Sequence, residues 1–161
     1  MLIAGIDPGT NGAIAVLDSE SPDSVALLDL KKHSIFEVKS WLTPYLYTNS
    51  QLIKNKIWVE DVHSMHVISA KSNFGFCRNL GFVLTIAELV PSAETHMVTP
   101  KIWQKYIGVT VKGKAIKKEV AKIALGLYPN AELYGQRGGL LDGRADALMI
   151  AHYGLKHMEE E

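Results

Sequence analysis

The sequence predicts an α/β fold in which one mixed β-sheet carries α-helices on both faces. Three strand-like runs come first and strands then alternate with helical patterns, an order typical of this class. The length of 161 residues suits one domain with a substantial core. The 47% apolar and 21% charged content is typical of a globular chain rather than a disordered one. No repeat or linker divides the chain, so we expect residues 1–161 to form a single domain.

The first part of the chain predicts an antiparallel meander of three strands. Residues 2–7 are an apolar run that ends in Asp-Pro-Gly, a pattern typical of a buried strand followed by a turn. A second strand at 12–18 pairs with the first through a tight turn that contains Gly9 and Asn11. A third strand at 24–30 follows a second turn.

The rest of the chain predicts two further strands and a series of helices. The run at 57–60 is β-branched and aromatic, as strands are. Thr99 and Pro100 are typical of a helix start, and Pro44 predicts a break or kink in the first helix. In chain order we expect a helix at 34–47, a strand at 57–60, a loop at 61–71, a helix at 73–89 with Phe74 and Cys77 on its apolar side, a strand at 96–98, a helix after Pro100, a helix at 115–128, a glycine-rich loop at 134–141 and a helix at 143–156.

The composition excludes several classes of protein. Asp, Lys or His interrupts each apolar stretch before it reaches the length of a membrane span, so we expect no membrane partner. No basic segment precedes the first apolar run, which predicts that there is no secretory signal. Cys77 is the single cysteine, which excludes an internal disulfide and fits a reducing compartment. We expect it to be a buried or half-buried structural residue rather than a nucleophile.

The positive charges are concentrated in one region although the formal net charge is zero. A basic region on a neutral protein can attract phosphates, but a solvated lysine-rich helix has the same pattern. The residues concerned are Lys101, Lys105, Lys112, Lys114, Lys117, Lys118 and Lys122, opposed in sequence only by Glu119.

Four carboxylates, at positions 7, 60, 142 and 146, are the candidate functional residues. Asp7 and Glu60 end apolar runs, so a fold that gathers strand ends would bring them together. Asp142 and Asp146 would share one face at the start of the last helix, where the dipole favours anions. Clustered carboxylates repel one another and suit a hard cation such as Mg²⁺. Each residue also has an ordinary interpretation, as a turn residue, a helix cap or a solvated side chain.

Together these residues resemble motifs of the RuvC-type Holliday junction resolvases, of the bacterial and phage kind, within the RNase H-like nuclease superfamily. The matching segments are Gly5-Ile6-Asp7-Pro8-Gly9-Thr10, Trp58-Val59-Glu60-Asp61-Val62 and Ala145-Asp146-Ala147-Leu148-Met149-Ile150-Ala151-His152, with a weaker match from Val98 to Val120. They occur in the family's order and at its spacing, and they cover most of the chain.

The resemblance implies a five-stranded mixed sheet of the RNase H-like kind and a metal-binding tetrad of Asp7, Glu60, Asp142 and Asp146. Bacterial members place the third acid three residues before the last, where this chain has Gly143, so Asp142 takes that role from one residue earlier. The resemblance also implies a functional lysine at Lys117, with Lys118 as the alternative. A second family lysine position holds Trp103 in this chain.

The resemblance further implies hydrolysis of DNA phosphodiesters with two Mg²⁺ ions roughly 4 Å apart, for which Mn²⁺ substitutes. Asp7 would bridge the ions, the other acids would complete the two sites, and Lys117 would stabilise charge on a phosphate. The DNA would be contacted by Lys101, Lys105, Lys112, Lys114, Lys117 and Lys118. The expected location is the cytoplasm of a bacterial or phage-infected cell.

Paired cuts in a four-way junction require two sites in matching orientation, which predicts a homodimer with two-fold symmetry. The helix at 73–89 would form part of the interface, because Phe74, Phe76 and Phe82 exceed what one helical face buries in a small protomer; packing into the protomer's own core is the alternative. We expect the loop at 63–72 to approach the junction centre, with His63, Met65 and His66 against the bases.

Three other interpretations stay open. One is a related nuclease that cuts flaps, forks or other branched DNA, and another is a non-catalytic RNase H-fold protein that binds branched DNA. The third is an ATP-binding domain of the actin-like kind, since that superfamily also begins with an aspartate, glycine and threonine turn. Those proteins use two domains to enclose the nucleotide, for which 161 residues are too few.

Overall fold

The computed structural model describes residues 1–47, 55–62, 69–90 and 93–159. These residues form five strands and five α-helices, together with two single turns of 3₁₀ helix. The elements are β1 (Leu2–Asp7), β2 (Ala13–Asp18), β3 (Ser21–Asp29), α1 (Ile35–Leu46), β4 (Asn55–Glu60), α2 (Ala70–Leu89), β5 (Ala93–Val98), α3 (Pro100–Tyr106), α4 (Ile116–Leu127) and α5 (Asp142–Glu159).

The strands form one mixed sheet in the order β3-β2-β1-β4-β5. Strands β1, β2 and β3 are the predicted antiparallel meander, and β4 and β5 extend the sheet parallel to β1. The carboxyl ends of the three parallel strands therefore lie at the same edge. In this register Ile6 pairs with Val59, which brings Asp7 level with Glu60.

The two faces of the sheet carry separate apolar cores. Side chains alternate along each strand, so Ile3 of β1 faces one core while Ala4 and Ile6 face the other. Helices α3, α4 and α5 cover the first face, and α1 and α2 cover the second. The predicted five-stranded α/β fold with helices on both faces is confirmed.

Helix α5 lies directly against the centre of the sheet. A Cβ atom at Gly5 would collide with the backbone of Ala147 and Ala151, so glycine in β1 and alanines in α5 permit the close approach. Because Asp7 is two residues after Gly5 in the same strand, its side chain points to the α5 side of the sheet.

Three strands begin earlier than the hydrophobic pattern predicts, and the first of these differences is small, since β4 begins at Asn55 rather than at residue 57. Strand β3 begins at Ser21 rather than at residue 24, because a register shift beyond Leu17 lets Asp18 pair with Ser21. Strand β5 begins at Ala93 rather than at residue 96. Its first three residues, Ala93, Glu94 and Thr95, are half-buried or exposed, and backbone pairing with β4 rather than an apolar pattern makes them a strand.

The helices differ from the prediction in three places. Helix α2 begins at Ala70 rather than at residue 73, so the last two residues of the predicted loop at 61–71 are helical. Pro44 does not end α1, because it lies in the last turn, where few hydrogen bonds remain to be lost. In α2 the buried stripe contains Val83, Ile86 and Ala87, whereas Phe74 and Cys77 lie on the outward side. The expectation that Cys77 is buried or half-buried is therefore wrong, because the predicted phase of the helix was shifted toward its exposed side.

Thr99 precedes α3 and Pro100 is its first residue, as predicted, although the Thr99 side chain makes no capping hydrogen bond. Across the residues that the structure describes, no helix is long and apolar enough to span a membrane.

Candidate active site

An open cleft of about 500 Å³ lies at the carboxyl ends of β1 and β4, beside the start of α5. It brings together all five residues that the sequence predicts as the reaction centre: Asp7, Glu60, Asp142, Asp146 and Lys117. Uncharged residues complete the wall, among them Thr10, Phe76 and Gln104.

Each acid reaches the cleft because of its place in an element. Asp7 ends β1 and Glu60 ends β4, and their paired register points both side chains to the α5 face of the sheet. Asp142 begins α5 and Asp146 follows one turn later, so the two share a side of that helix. Parallel pairing and helical spacing thus collect four acids from three distant parts of the chain.

Three of the acids have a polar partner within the protein. Asp7 Oδ1 accepts a hydrogen bond of 2.8 Å from the Gly9 backbone N–H. Glu60 Oε1 accepts one of 3.0 Å from the ring N–H of Trp103. The Lys117 ammonium forms an ion pair with Asp142. The protein itself therefore offsets part of the repulsion among the carboxylates.

The remaining repulsion and the burial are evident in the pKa values. Burial is the main cause that raises the pKa of Asp7 to about 6 and the pKa of Glu60 to about 7. Burial, followed by the charges of Asp7, Glu60 and Asp142, raises the pKa of Asp146 to about 8. The ion pair with Asp142 raises the pKa of Lys117, which stays protonated. Carboxylates that resist ionisation in this way favour a bound cation.

The third acid stands at 142 rather than 143 for a steric reason. A Cβ atom at Gly143 would collide with the backbone carbonyl of Asn11 in the β1–β2 turn. Position 143 therefore has no room for a side chain. Asp142, one residue earlier, lines the cleft with Lys117 beside it.

Arg144 fixes the start of α5, a role that the sequence analysis missed. Its guanidinium holds both carboxylate oxygens of Asp29 at the end of β3, at 2.7 and 3.0 Å. A third N–H donates to the backbone carbonyl of Glu132 at 2.9 Å. The residue lies between Asp142 and Asp146, so this clamp orients the segment that carries both. The arginine between two candidate acids could have indicated an ion pair near the site. Its partner, Asp29, could not be identified because it is 115 residues away in the sequence.

Trp103 occupies the position where the resemblance places a second lysine. Its side chain is fully buried and its ring N–H points to Glu60. Position 103 thus provides a neutral donor, and among the described residues Lys117 is the lysine that lines the cleft.

The other predicted DNA-binding lysines surround the cleft rather than line it. Lys101, Lys105, Lys112, Lys114 and Lys118 are exposed, on α3, on the segment that leads into α4 and in the first turn of α4. The Glu119 carboxylate accepts hydrogen bonds from the backbone of Thr110 and Val111 and so holds that segment against α4. The predicted contacts of His63, Met65 and His66 lie outside the described residues.

The donor set suits a divalent cation such as Mg²⁺ or Mn²⁺, because it consists of carboxylate oxygens. Among the described residues, no three His, Cys, Asp or Glu side chains are already arranged to hold a metal ion. In this arrangement one oxygen each of Asp7, Glu60 and Asp142 is directed to Gly9, Trp103 and Lys117 respectively.

The sequence matches no protein-family model and no curated protein. Among solved structures it is similar to T. thermophilus RuvC in complex with a Holliday junction substrate, with a TM-score of 0.63, 16% identity and coverage of 99% of this chain and 96% of that chain. The fold is that of RuvC. A second Thermus thermophilus RuvC structure gives a TM-score of 0.59 at 19% identity, over 99% of this chain and 97% of that one. The RuvC-type, RNase H-like fold that the sequence motifs predict is thus confirmed.

Proposed function

We propose that this protein is a structure-selective endodeoxyribonuclease that resolves four-way DNA junctions by paired, metal-dependent phosphodiester hydrolysis. The observation that carries the proposal is the convergence of four acids and Lys117 on one cleft of a RuvC fold. One of the similar RuvC structures contains a Holliday junction substrate, which supports branched DNA as the class of substrate.

The residues of the cleft divide the chemistry between them. Asp7, Glu60, Asp142 and Asp146 would hold Mg²⁺, or Mn²⁺ in its place, which when bound supplies the charge that activates water and stabilises the leaving 3′-oxygen. Lys117 remains protonated and is 62% exposed, so its ammonium can contact a phosphate oxygen. Trp103 keeps the Glu60 carboxylate oriented through a bond whose donor cannot titrate.

Binding energy would come from the backbone phosphates rather than from the bases. The exposed lysines at 101, 105, 112, 114 and 118 surround the cleft and are the predicted contacts. Each phosphate contact releases counterions, so the affinity should fall steeply as the salt concentration rises.

Asp7→Asn tests the catalytic assignment. The change keeps the shape of the side chain but removes its charge from the cleft. We expect nicking of a labelled four-way junction in Mg²⁺ to fall by at least about 100-fold, since even groups that only orient metal ligands cost up to that much. Junction binding should persist because the lysines supply it.

Asp18→Asn is the matched control, since Asp18 ends β2 at the opposite edge of the sheet and should nick at the normal rate. Normal cutting by Asp7→Asn would refute the assignment. A flap and a linear duplex, assayed in parallel, separate junction resolution from cleavage of other branched DNA. Binding of junctions without nicks in either metal would instead identify a non-catalytic binding protein.

We also propose that the active form is a homodimer that uses the outward side of α2. Phe74 on this side is 74% exposed and Leu89 is 50% exposed, which is unusual for large apolar side chains on one helix. A two-fold dimer would present two clefts in matching orientation to the two strands that must be cut.

A further inference from the structure

A second pocket, of about 420 Å³, borders the β1–β2 turn that follows Asp7. Thr10 in this turn lines both the acidic cleft and the second pocket, so the two are neighbours. The pocket is lined by Thr10, Leu30, Lys31, His33, Gly75, Arg78, Asn79 and Phe82.

Two parts of the chain build the pocket around this turn. Gly75, Arg78, Asn79 and Phe82 follow helical spacing and form one stripe of α2. Asn79 Nδ2 donates to the Gly9 carbonyl at 3.2 Å, which fixes α2 to the turn. From the opposite side, the Lys31 ammonium donates to Asn11 Oδ1 at 3.3 Å. Both parts of the pocket are therefore anchored to the turn that follows Asp7.

The pocket is cationic. Lys31 and Arg78 line it, and no carboxylate does so. In the part of the chain that the structure describes, neither residue forms an ion pair. Two acids close to Lys31 in sequence are already engaged, since Asp29 holds Arg144 and Glu37 caps α1 through Ser34. A smaller adjoining cavity is of mixed charge, since Lys31 and Lys32 line it together with Asp29 and Asp142.

We propose that this pocket binds a backbone phosphate and its sugar from the DNA strand that enters the neighbouring acidic cleft. The inference rests on the proposed function, to which it adds a second anion site. Phosphates are attracted to unpaired cations beside the cleft. Lys117 lines the cleft itself, and Lys31 and Arg78 line the neighbouring pocket. Leu30 and Phe82 offer apolar surface for the sugar.

The double variant Lys31→Gln/Arg78→Gln tests this proposal in the Asp7→Asn background, which binds without cutting. Binding of a labelled four-way junction is measured by gel mobility shift across a range of salt concentrations. Loss of this one phosphate contact should reduce the slope of log affinity against log salt by about 0.9 for each protomer bound. The conservative pair Lys31→Arg/Arg78→Lys should retain the slope, because the contact depends on charge.

The matched control is Lys39→Gln/Lys156→Gln, which removes the same charge from positions outside both pockets and should leave the slope unchanged. The same slope for the test and control variants would overturn the proposal. If the wild-type protein nicks junctions while the Lys31/Arg78 variant keeps its slope, this inference alone fails. If the wild-type protein neither binds nor nicks branched DNA, the proposed function fails with it.

Discussion

At the scale of single residues, Asp146 experiences the largest electrostatic cost in the cleft. It is half-buried and surrounded by the charges of Asp7, Glu60 and Asp142, which together with burial raise its pKa to about 8. Lys117 opposes this rise but is itself paired with Asp142. Without a cation, ionisation of Asp146 therefore works against the folded state.

Asp146→Asn should make the metal-free protein more stable at alkaline pH. The folded pKa of Asp146, about 8, lies above its ordinary value of 3.8, so the folded state binds more protons than the unfolded state between these values. Stability is lost as pH rises through this window, and the loss is complete above pH 8. Asparagine cannot ionise, so the variant should gain on the order of 1–3 kcal/mol at pH 9 and nothing at pH 4.

Thermal unfolding in EDTA measures this difference, and each kcal/mol corresponds to about 2–4 °C in Tm for a chain of this size. Added Mg²⁺ should raise the Tm of the wild-type protein more than that of the variant. Equal Tm values for the two proteins at pH 9 would show that Asp146 carries no such cost.

At the scale of elements, α5 determines the geometry of the cleft. Gly5 lets it approach the sheet, Gly143 lets its first turn approach the β1–β2 turn, and Arg144 joins it to β3. The start of α5 is therefore fixed from two directions. Helical propensity alone would place alanine at 143, so glycine there indicates the packing constraint.

Gly143→Ala should destabilise the protein although alanine favours helices. The added methyl group meets the Asn11 carbonyl, and such overpacking costs about 1–3 kcal/mol. Gly126→Ala in α4 is the matched control, because a Cβ there meets nothing within 4 Å and should stabilise by roughly 0.5–1 kcal/mol. Urea unfolding compares the two, and stabilisation by both changes would contradict the packing described here.

At the scale of the whole molecule, the sequence predicts the fold and the acids but not the contacts that hold the acids in place. The ends of β1 and β4 can be predicted from the sequence because apolar runs stop at Asp7 and Glu60. The hydrogen bond from Trp103 to Glu60 spans 43 residues, and that from Arg144 to Asp29 spans 115. Such pairs can be predicted only when the order of the strands in the sheet is known. The sequence also failed to predict which side of α2 faces away from the core, because apolar residues occur on both sides of this helix.

Phe74→Glu should convert the proposed dimer to a monomer. A charge at the centre of an apolar contact between two α2 helices is costly to desolvate, so association should weaken by several kcal/mol. Sedimentation at micromolar concentration should show about twice the chain mass of 17.8 kDa for the wild-type protein and the single mass for the variant. Phe36→Glu is the control, since Phe36 on α1 is 75% exposed and lies outside α2. A monomeric wild-type protein would exclude this dimer.

The contact between Trp103 and Glu60 has a practical consequence, because indole emission responds to a charge at the ring nitrogen. Trp103 Nε1 lies 3.0 Å from the carboxylate of Glu60, which is one of the proposed metal ligands. Titration with Mg²⁺ should therefore change the emission spectrum directly, with no label and no DNA present. Trp103→Phe would remove that signal while Trp41 and Trp58 continue to emit. The fluorescence of Trp103 should therefore report cation binding in the cleft.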